Sequence, residues 1–124
     1  MKVREAMTEH VFTITPGRTL REAAVFLTEH NVGAAVIIDP EEPGPGIVTE
    51  RDVVRSLGAG EDPDAETIGN HLTARATFAD GDWSLEEAAD AMARGGFRHL
   101  VVVEGGELAG IISMRDIIQV WRPK

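Results

Sequence analysis

The sequence predicts an α+β fold made of two β-α-β-β-α repeats, and three observations carry this prediction. A phrase with a glycine, a hydroxyl, an arginine and an aspartate at fixed spacing occurs at residues 46–54 and again at residues 110–118. Upstream of each phrase lie a helical stripe of apolar residues and a short apolar run. Each repeat alone is too small for a stable core, so we expect the two to stack about a pseudo-twofold axis. The two equivalent phrases can then form a cleft, which makes the junction the first candidate ligand site.

The size and composition of the chain limit the class of protein. Its 124 residues suit one module with repeat 1 at residues 1–60 and repeat 2 at residues 61–124. The absence of cysteine excludes disulfides and cysteine metal sites, and a formal charge of −9 argues against nucleic-acid binding. The chain starts without the apolar run of a signal peptide, and no stretch approaches the ~18 apolar residues of a membrane span. We therefore expect a cytoplasmic protein without membrane contact.

The first helix of each repeat is predicted by an apolar stripe that follows a capping box. The stripes cover Leu20–Leu27 and Leu85–Met92, with apolar residues three and four positions apart. We expect the helix of repeat 1 to end near residues 30–31, with either Asn31 or Gly33 adopting the left-handed conformation that closes helices. The two boxes pair Thr19 with Glu22 and Ser84 with Glu87.

Short apolar runs predict the strands of both repeats. Central and return strands are expected at residues 34–38 and 46–48 in repeat 1 and at residues 100–103 and 108–112 in repeat 2. The proline-rich residues 39–45 and the pair Gly105–Gly106 predict the two hairpin connections. Residues 11–14 and 76–78 alternate weakly and predict short opening strands.

Each repeated phrase opens a second helix, whose cap is Thr49 in repeat 1 and Ser113 in repeat 2. We expect these helices to end near Leu57 and Trp121. Residues 58–64 are polar and rich in glycine, and they predict a linker between the repeats.

The aspartate three residues after each cap has two interpretations. Asp52 and Asp116 fit capping boxes with Thr49 and Ser113. The other two boxes use glutamate at this position, however, and the shorter aspartate can turn its carboxylate outward to accept two hydrogen bonds from a vicinal diol such as ribose. The hydroxyl and the free N–H groups of the same helix start can receive a phosphate, helped by the helix dipole. The spacing leaves capping and ligand binding open, and the two roles are compatible.

At this point the chain resembles a tandem of cystathionine β-synthase (CBS) domains, often called a Bateman module. The resemblance rests on the paired units, each closing on Gly-apolar-x-Thr/Ser-x-x-Asp-apolar, and on residues 97–103 before the second hairpin. It implies that the repeats pack sheet to sheet and leave two clefts for adenosine-containing ligands such as AMP, ADP, ATP or S-adenosylmethionine. It also implies a homodimer that joins helix to helix, through an apolar face that we expect to contain Leu20, Leu27, Val53, Val54 and their repeat mates.

The resemblance also implies roles for individual residues. Asp52 holds the ribose in one cleft and Asp116 in the other, while Thr49 and Ser113 contact ribose or phosphate. The strand residues Ile47 and Ile111 belong to the same binding set, and each cleft is completed by the other repeat. The Asp52 cleft draws on Ala76, Thr77, Phe78, Phe97 and His99, and the Asp116 cleft draws on Val11, Phe12, Thr13, Val32 and Ala34.

The two predicted clefts are not equal. His99 corresponds by repeat register to Ala34, so the Asp52 cleft gains a titratable donor that the other lacks. Arg98, opposite Gly33, adds a second positive side chain nearby. Two further arginines, Arg51 and Arg115, precede the aspartates and either reach a phosphate or lie on the helix surface.

The remaining residues predict neither catalysis nor metal binding. No nucleophile elbow, phosphate-binding glycine loop or histidine–carboxylate motif is present, so we expect a protein that is not an enzyme and requires no cofactor. An acid–base pair of Asp52 and Asp116 is disfavoured, because the family pattern puts them in separate clefts. The histidines lack the spacing of metal ligands, and no metal site is expected at His10, His30, His71 or His99.

The function that the sequence predicts is regulatory and energy-sensing. An adenine nucleotide acts as the regulatory ligand, and its occupancy is relayed to a protein partner. The alternative is a dimerisation or scaffold module whose clefts are empty.

Overall fold

The computed structural model describes residues 1–41, 45–71 and 78–121. It confirms the α+β class and divides into two compact units. The repeat-1 unit is Phe12–Ala76, and the repeat-2 unit combines Met1–Val11 with Thr77–Lys124. The units differ in two ways from the predicted repeats at 1–60 and 61–124: residues 1–11 belong to the repeat-2 unit, and residues 61–71 belong to the repeat-1 unit.

The helices and strands follow the predicted order in both repeats. In chain order they are α1 (Val3–Ala6), β1 (Thr13–Ile14), α2 (Leu20–His30), β2 (Ala34–Ile37), β3 (Gly46–Thr49), α3 (Glu50–Gly58), a 3₁₀ helix (Ile68–Asn70), β4 (Phe78–Asp80), α4 (Leu85–Gly95), β5 (His99–Glu104), β6 (Glu107–Ser113) and α5 (Met114–Trp121). Within the described ranges, no helix combines the length and the apolar content needed to cross a membrane. Residues 42–44 of the predicted hairpin loop and residues 76–77 of the second opening strand lie outside the described residues.

Each unit contains one three-stranded sheet, and the two sheets have the same topology. β1 pairs in parallel with β2, and β2 pairs antiparallel with β3. β4, β5 and β6 repeat this order and these directions. The hairpin between β5 and β6 turns at Gly105 and Gly106, whose φ angles of 60° and 80° suit glycine. The sequence repeat is therefore also a repeat of strand order.

The predicted starts of α2 and α4 and the predicted end of α2 are confirmed by their backbone geometry. α2 begins after Thr19, whose side chain accepts a hydrogen bond from the Glu22 amide, and it ends at Asn31 in the left-handed conformation with φ 52°. α4 begins in the same way after Ser84 and ends at Gly96 with φ 70°. These local signals fix the two helices because each satisfies backbone groups that would otherwise lack partners.

Each unit has its own apolar core beneath its sheet. Leu20, Leu27 and Val53 lie in the core of the repeat-1 unit, so placing them on an exposed dimer face was wrong. The apolar stripe of α2 points inward because it packs against the sheet of its own unit and removes that sheet's apolar face from solvent. The apolar side chains that do face outward on the second helices include Val54, which is 65% exposed, and Ile118, which is 58% exposed.

The chain's first residues add to the repeat-2 unit, which sequence reasoning did not foresee. Thr8 and Ile111 exchange two backbone hydrogen bonds of 2.9 and 3.1 Å at the free edge of β6. A Cβ atom on the phrase glycine Gly110 would lie 2.6 Å from the Thr8 carbonyl oxygen. This position therefore needs glycine because another stretch of backbone approaches it closely.

Ion pairs also hold α1 to the repeat-2 unit. Arg4 bonds Asp82 at 2.6 Å and Glu104 at 2.7 Å, and Lys2 lies 3.2 Å from Asp82. The hydrogen bond from Arg4, helped by Lys2, holds the pKa of the Asp82 carboxyl below its usual value. All four side chains are substantially exposed. These ion pairs therefore stabilise the packing of α1 less than the burial of the Val3 side chain does.

The predicted linker and the residues directly after it form a loop against α2. Gly60 closes α3 with φ 84°, and the amide of Arg21 donates to the carbonyl of Pro63 at 3.1 Å. The amide of Leu20 donates to the carbonyl of Glu66 at 3.0 Å. The loop thus supplies acceptors for amides at the start of α2, which have no partner within their own helix.

Candidate functional site

A hydroxyl and an aspartate form the same arrangement at the strand-to-helix junction of each unit. The Thr49 amide donates to Asp52 Oδ2 at 2.8 Å, and the Asp52 amide donates to Thr49 Oγ1 at 3.3 Å. In the other unit the Ser113 amide donates to Asp116 Oδ2 at 2.8 Å, and the Asp116 amide donates to Ser113 Oγ at 3.1 Å. Both pairs are reciprocal capping boxes, so the capping interpretation is confirmed.

The two aspartate boxes differ in burial from the two glutamate boxes. The bonds of Asp52 and Asp116 are partly buried, whereas those of Glu22 and Glu87 are exposed. The box bonds use Oδ2 of each aspartate, and a carboxylate offers about four acceptor positions on two oxygens. Capping therefore leaves these half-buried carboxylates with the chemistry to accept further hydrogen bonds from a diol.

The backbone amides at the starts of α3 and α5 are less available than the sequence suggested. The amide of Glu50 donates to the carbonyl of Gly33 at 2.9 Å. The amide of Met114 donates to the carbonyl of Arg98 at the same distance. The amides of the two aspartates are taken by the capping hydroxyls. Two donors at each helix start thus have acceptors within the chain, and a phosphate would need other donors.

The sheets place the remaining strand residues beside these boxes. Ala34 lies opposite Thr49 on neighbouring strands, and His99 lies opposite Ser113. This register confirms the predicted correspondence of His99 with Ala34. Two matching rows cross the sheets two residue pairs further along: Thr13, Val36 and Ile47 in one unit, and Phe78, Val101 and Ile111 in the other.

Val32 and Phe97 have a structural role that accounts for their apolar character. Their amides donate to the carbonyls of Leu27 and Met92, which closes α2 and α4 in the manner of a Schellman motif. Both side chains pack against the core of their own unit, as residues in this position commonly do. The Phe97 ring also lies directly against the backbone of Gly95.

Phe12 has aromatic neighbours within its own unit. Its ring stacks on His30 with a centroid distance of 4.2 Å, and it meets Phe26 edge to face at 6.1 Å. Such contacts hold a side chain in place whether or not a ligand is bound.

The predicted site residues that the structure describes divide between the two units. The repeat-1 unit holds Thr49, Asp52, Ile47, Phe12, Thr13, Val32 and Ala34. The repeat-2 unit holds Ser113, Asp116, Ile111, Phe78, Phe97 and His99. Ala76 and Thr77 lie outside the described residues. The predicted clefts would need residues of both units, and they stay predictions.

One cluster of possible metal ligands escaped the sequence analysis. Glu61, Glu66 and His71 bring one donor atom each to within 4.8 Å of one another. His71 Nε2 lies 2.7 Å from Glu66 Oε1 and 3.7 Å from Glu61 Oε1. The hydrogen bond from His71 lowers the pKa of the Glu66 carboxyl. A spacing of five residues between the members suits neither a helix nor a strand, which is why no periodicity signals it.

Comparison with other proteins identifies the family. The sequence model of the CBS domain family matches this chain twice, at residues 3–59 and 68–122. An uncharacterized 17.7 kDa protein of Acidianus ambivalens is 36% identical, over 94% of this chain and 70% of its own length. An uncharacterized protein of Methanocaldococcus jannaschii is 38% identical over 94% of this chain, which spans only 41% of that relative.

Solved structures agree with the family match. A CBS domain protein of Pyrobaculum aerophilum complexed with AMP superposes with a TM-score of 0.82 and 29% identity, covering 94% of this chain and 89% of that protein. A hexameric CBS-CP12 protein from bloom-forming cyanobacteria superposes with a TM-score of 0.88 and 28% identity, covering all of this chain and 75% of that one. The chain therefore belongs to the CBS-domain family, of which it carries two tandem copies.

Proposed function

We propose that the chain is a regulatory module that binds an adenosine-containing nucleotide in clefts between its two CBS repeats. AMP, ADP, ATP and S-adenosylmethionine are the candidate ligands, and a partner protein responds to their binding. The observation that carries this proposal is the pair of half-buried hydroxyl–aspartate boxes at equivalent positions. In this proposal Asp52 and Asp116 each accept hydrogen bonds from the ribose diol of one ligand.

The chemistry of the boxes supports a sugar rather than a bare phosphate. Each carboxylate retains acceptor capacity beside its capping bonds, and hydrogen bonds to charged acceptors are stronger than neutral ones. Two amides of each helix start are occupied within the chain, so the diol contributes more recognition than the helix dipole does. The AMP complex of the Pyrobaculum relative adds support from a protein of the same family.

The two sites differ in their expected preference for phosphate. His99 and Arg98 occupy the positions that Ala34 and Gly33 hold in the other repeat. In the proposed arrangement they complete the Asp52 cleft, which then binds phosphorylated ligands more tightly than the Asp116 cleft. The chain's formal charge of −9 raises the importance of such local cations for any anionic ligand.

A scaffold or dimerisation role is the second candidate, and one observation favours it. The second helices expose Val54, Leu57, Ile118 and Trp121, each at least half exposed. On each helix the two side chains are three residues apart and therefore adjoin, and adjoining exposed apolar side chains commonly mark protein interfaces. We propose that these side chains join two copies of the chain into a homodimer. We further propose that the protein is cytoplasmic and not an enzyme. The hexameric cyanobacterial relative shows that proteins of this family can assemble.

Differential scanning fluorimetry with AMP, ADP, ATP, NAD and S-adenosylmethionine separates the two functions. A ligand present at about 100 times its dissociation constant stabilises the folded state by ~2.7 kcal/mol, which is readily measured. We expect at least one adenosine compound to raise the melting temperature. No shift with any of them at millimolar concentration would contradict nucleotide binding and favour the scaffold.

A further inference from the structure

The Glu61, Glu66 and His71 cluster lies wholly within the repeat-1 unit and shares no residue with the hydroxyl–aspartate box. Two carboxylates face a single imidazole, so their combined negative charge exceeds what one histidine can balance. The side chains are 39%, 28% and 20% exposed, respectively, which leaves one side of the cluster open to solvent. This is the donor set and the openness expected for a divalent cation with three protein ligands.

The backbone of each donor residue is fixed by hydrogen bonds. The amide of Glu61 donates to the carbonyl of Ser56 in the last turns of α3. The amide of Glu66 donates to the carbonyl of Asp62. The amide of His71 donates to the carbonyl of Ile68, whose side chain is buried in the core. The three donors therefore start from anchored positions, which lowers the entropy that a metal must offset on binding.

A second contact orients the Glu61 side chain. The Ser56 hydroxyl is buried and donates to Glu61 Oε1 at 2.9 Å. Hydrogen bonds of this kind, from outside the ligand set to a ligand, commonly orient metal sites and raise their affinity. Ser56 would act here as a positioning residue.

The distances suit a small tetrahedral ion. Ligand bonds of ~2.0–2.2 Å at tetrahedral angles place donor atoms ~3.3–3.5 Å apart. The two separations from His71 Nε2, 2.7 and 3.7 Å, bracket that range. An imidazole nitrogen favours zinc and its neighbours over magnesium or calcium, which prefer oxygen ligands alone.

We propose that Glu61, Glu66 and His71 bind one Zn²⁺ ion, with Ser56 orienting Glu61 and solvent as the fourth ligand. The ion ties the loop that follows α3 to the end of the 3₁₀ helix at Ile68–Asn70. The loop lies between the two matched CBS domains, and the 3₁₀ helix begins the second match, so zinc would stiffen the segment that leads from one matched domain into the next within the repeat-1 unit. The proposal is independent of nucleotide binding.

Equilibrium dialysis of the EDTA-treated protein against Zn²⁺ tests this site, with far-UV circular dichroism to establish that each variant is folded. We expect saturable binding that falls by at least ~10–100-fold in Glu66→Gln and His71→Ala, and by ~10-fold in Ser56→Ala. His30→Ala is the matched control, since it removes another histidine of the same unit and should leave the affinity unchanged. Co²⁺ in place of Zn²⁺ should give visible absorption bands that His71→Ala abolishes.

Two results would overturn the site. One is the absence of saturable Zn²⁺ uptake by the wild-type protein, which would leave the cluster as an ion pair of histidine with two glutamates. The other is an equal Zn²⁺ affinity in the wild type, Glu66→Gln and His71→Ala. Because Glu66→Gln preserves the shape of the side chain, it keeps the test valid should His71→Ala fail to fold.

Discussion

Replacing Asp52 with glutamate separates its capping role from the proposed ribose role. The chain already uses glutamate in this position at Glu22, whose Oε1 accepts from the Thr19 amide at 3.1 Å. Asp52→Glu should therefore keep the capping box of α3 and leave the melting temperature close to that of the wild type. The added methylene displaces the carboxylate by about one carbon–carbon bond, ~1.5 Å. That is enough to break a bidentate contact with a diol.

The size of the effect follows from the bonds at stake. Hydrogen bonds to a charged acceptor are worth ~1.5–3 kcal/mol, so Asp52→Glu should weaken nucleotide binding by ~10- to 100-fold in its cleft. Asp52→Ala should cause the same loss of affinity and also destabilise the protein by ~0.5–2 kcal/mol, because the Thr49 amide loses its acceptor at 2.8 Å. Glu22→Ala is the matched control: it should cost similar stability without affecting affinity.

Isothermal titration calorimetry with AMP, together with thermal denaturation of each variant, measures both quantities. Asp116→Ala should spare the affinity of the Asp52 cleft, since the proposal assigns the two aspartates to different ligands. Wild-type affinity in both Asp52→Glu and Asp52→Ala would refute the ribose role and leave Asp52 as a capping residue alone.

Three further predictions concern the repeat-2 unit and its surface. Gly110→Ala should destabilise the protein by ~1–3 kcal/mol in denaturant titrations, because its Cβ would lie 2.6 Å from a backbone carbonyl of the N-terminal segment; Gly58→Ala, with open space around it, should not. Asp82→Asn should lower the melting temperature near pH 7, since Arg4 holds the pKa of Asp82 in the folded state below its value in the unfolded state. The difference in melting temperature between wild type and variant should shrink as the pH falls below ~4, where that stabilisation is lost. A difference that stays constant with pH would contradict this. Ile118→Glu should turn a dimer into a monomer in multi-angle light scattering, and a monomeric wild type would remove the proposed interface.

The helix starts and ends were predictable because their signals are local. Thr19 with Glu22 specifies where α2 begins, and Asn31 specifies where it ends. The sequence repeat strengthened the prediction, because the same order of helices and strands had to agree with the sequences of both repeats. Capping residues, turn residues and short apolar runs therefore sufficed for the fold class and the element order.

Features that depend on residues distant in sequence could not be predicted in this way. The pairing of Thr8 with Ile111 joins positions about a hundred residues apart, and no periodicity announces it. The gathering of Glu61, Glu66 and His71 depends on how a loop folds back on α3. The inward orientation of Leu27 was misjudged because an amphipathic stripe does not reveal which surface covers it.

The double variant Asp52→Ala/Asp116→Ala tests the nucleotide hypothesis most directly. Equilibrium dialysis with radiolabelled AMP, on wild type and double variant at the same protein concentration, counts bound ligand without relying on changes in stability. We predict saturable binding of up to two AMP molecules per wild-type chain and the loss of that binding in the folded double variant. Undiminished AMP binding by the double variant would contradict the claim that these two carboxylates hold the ligand.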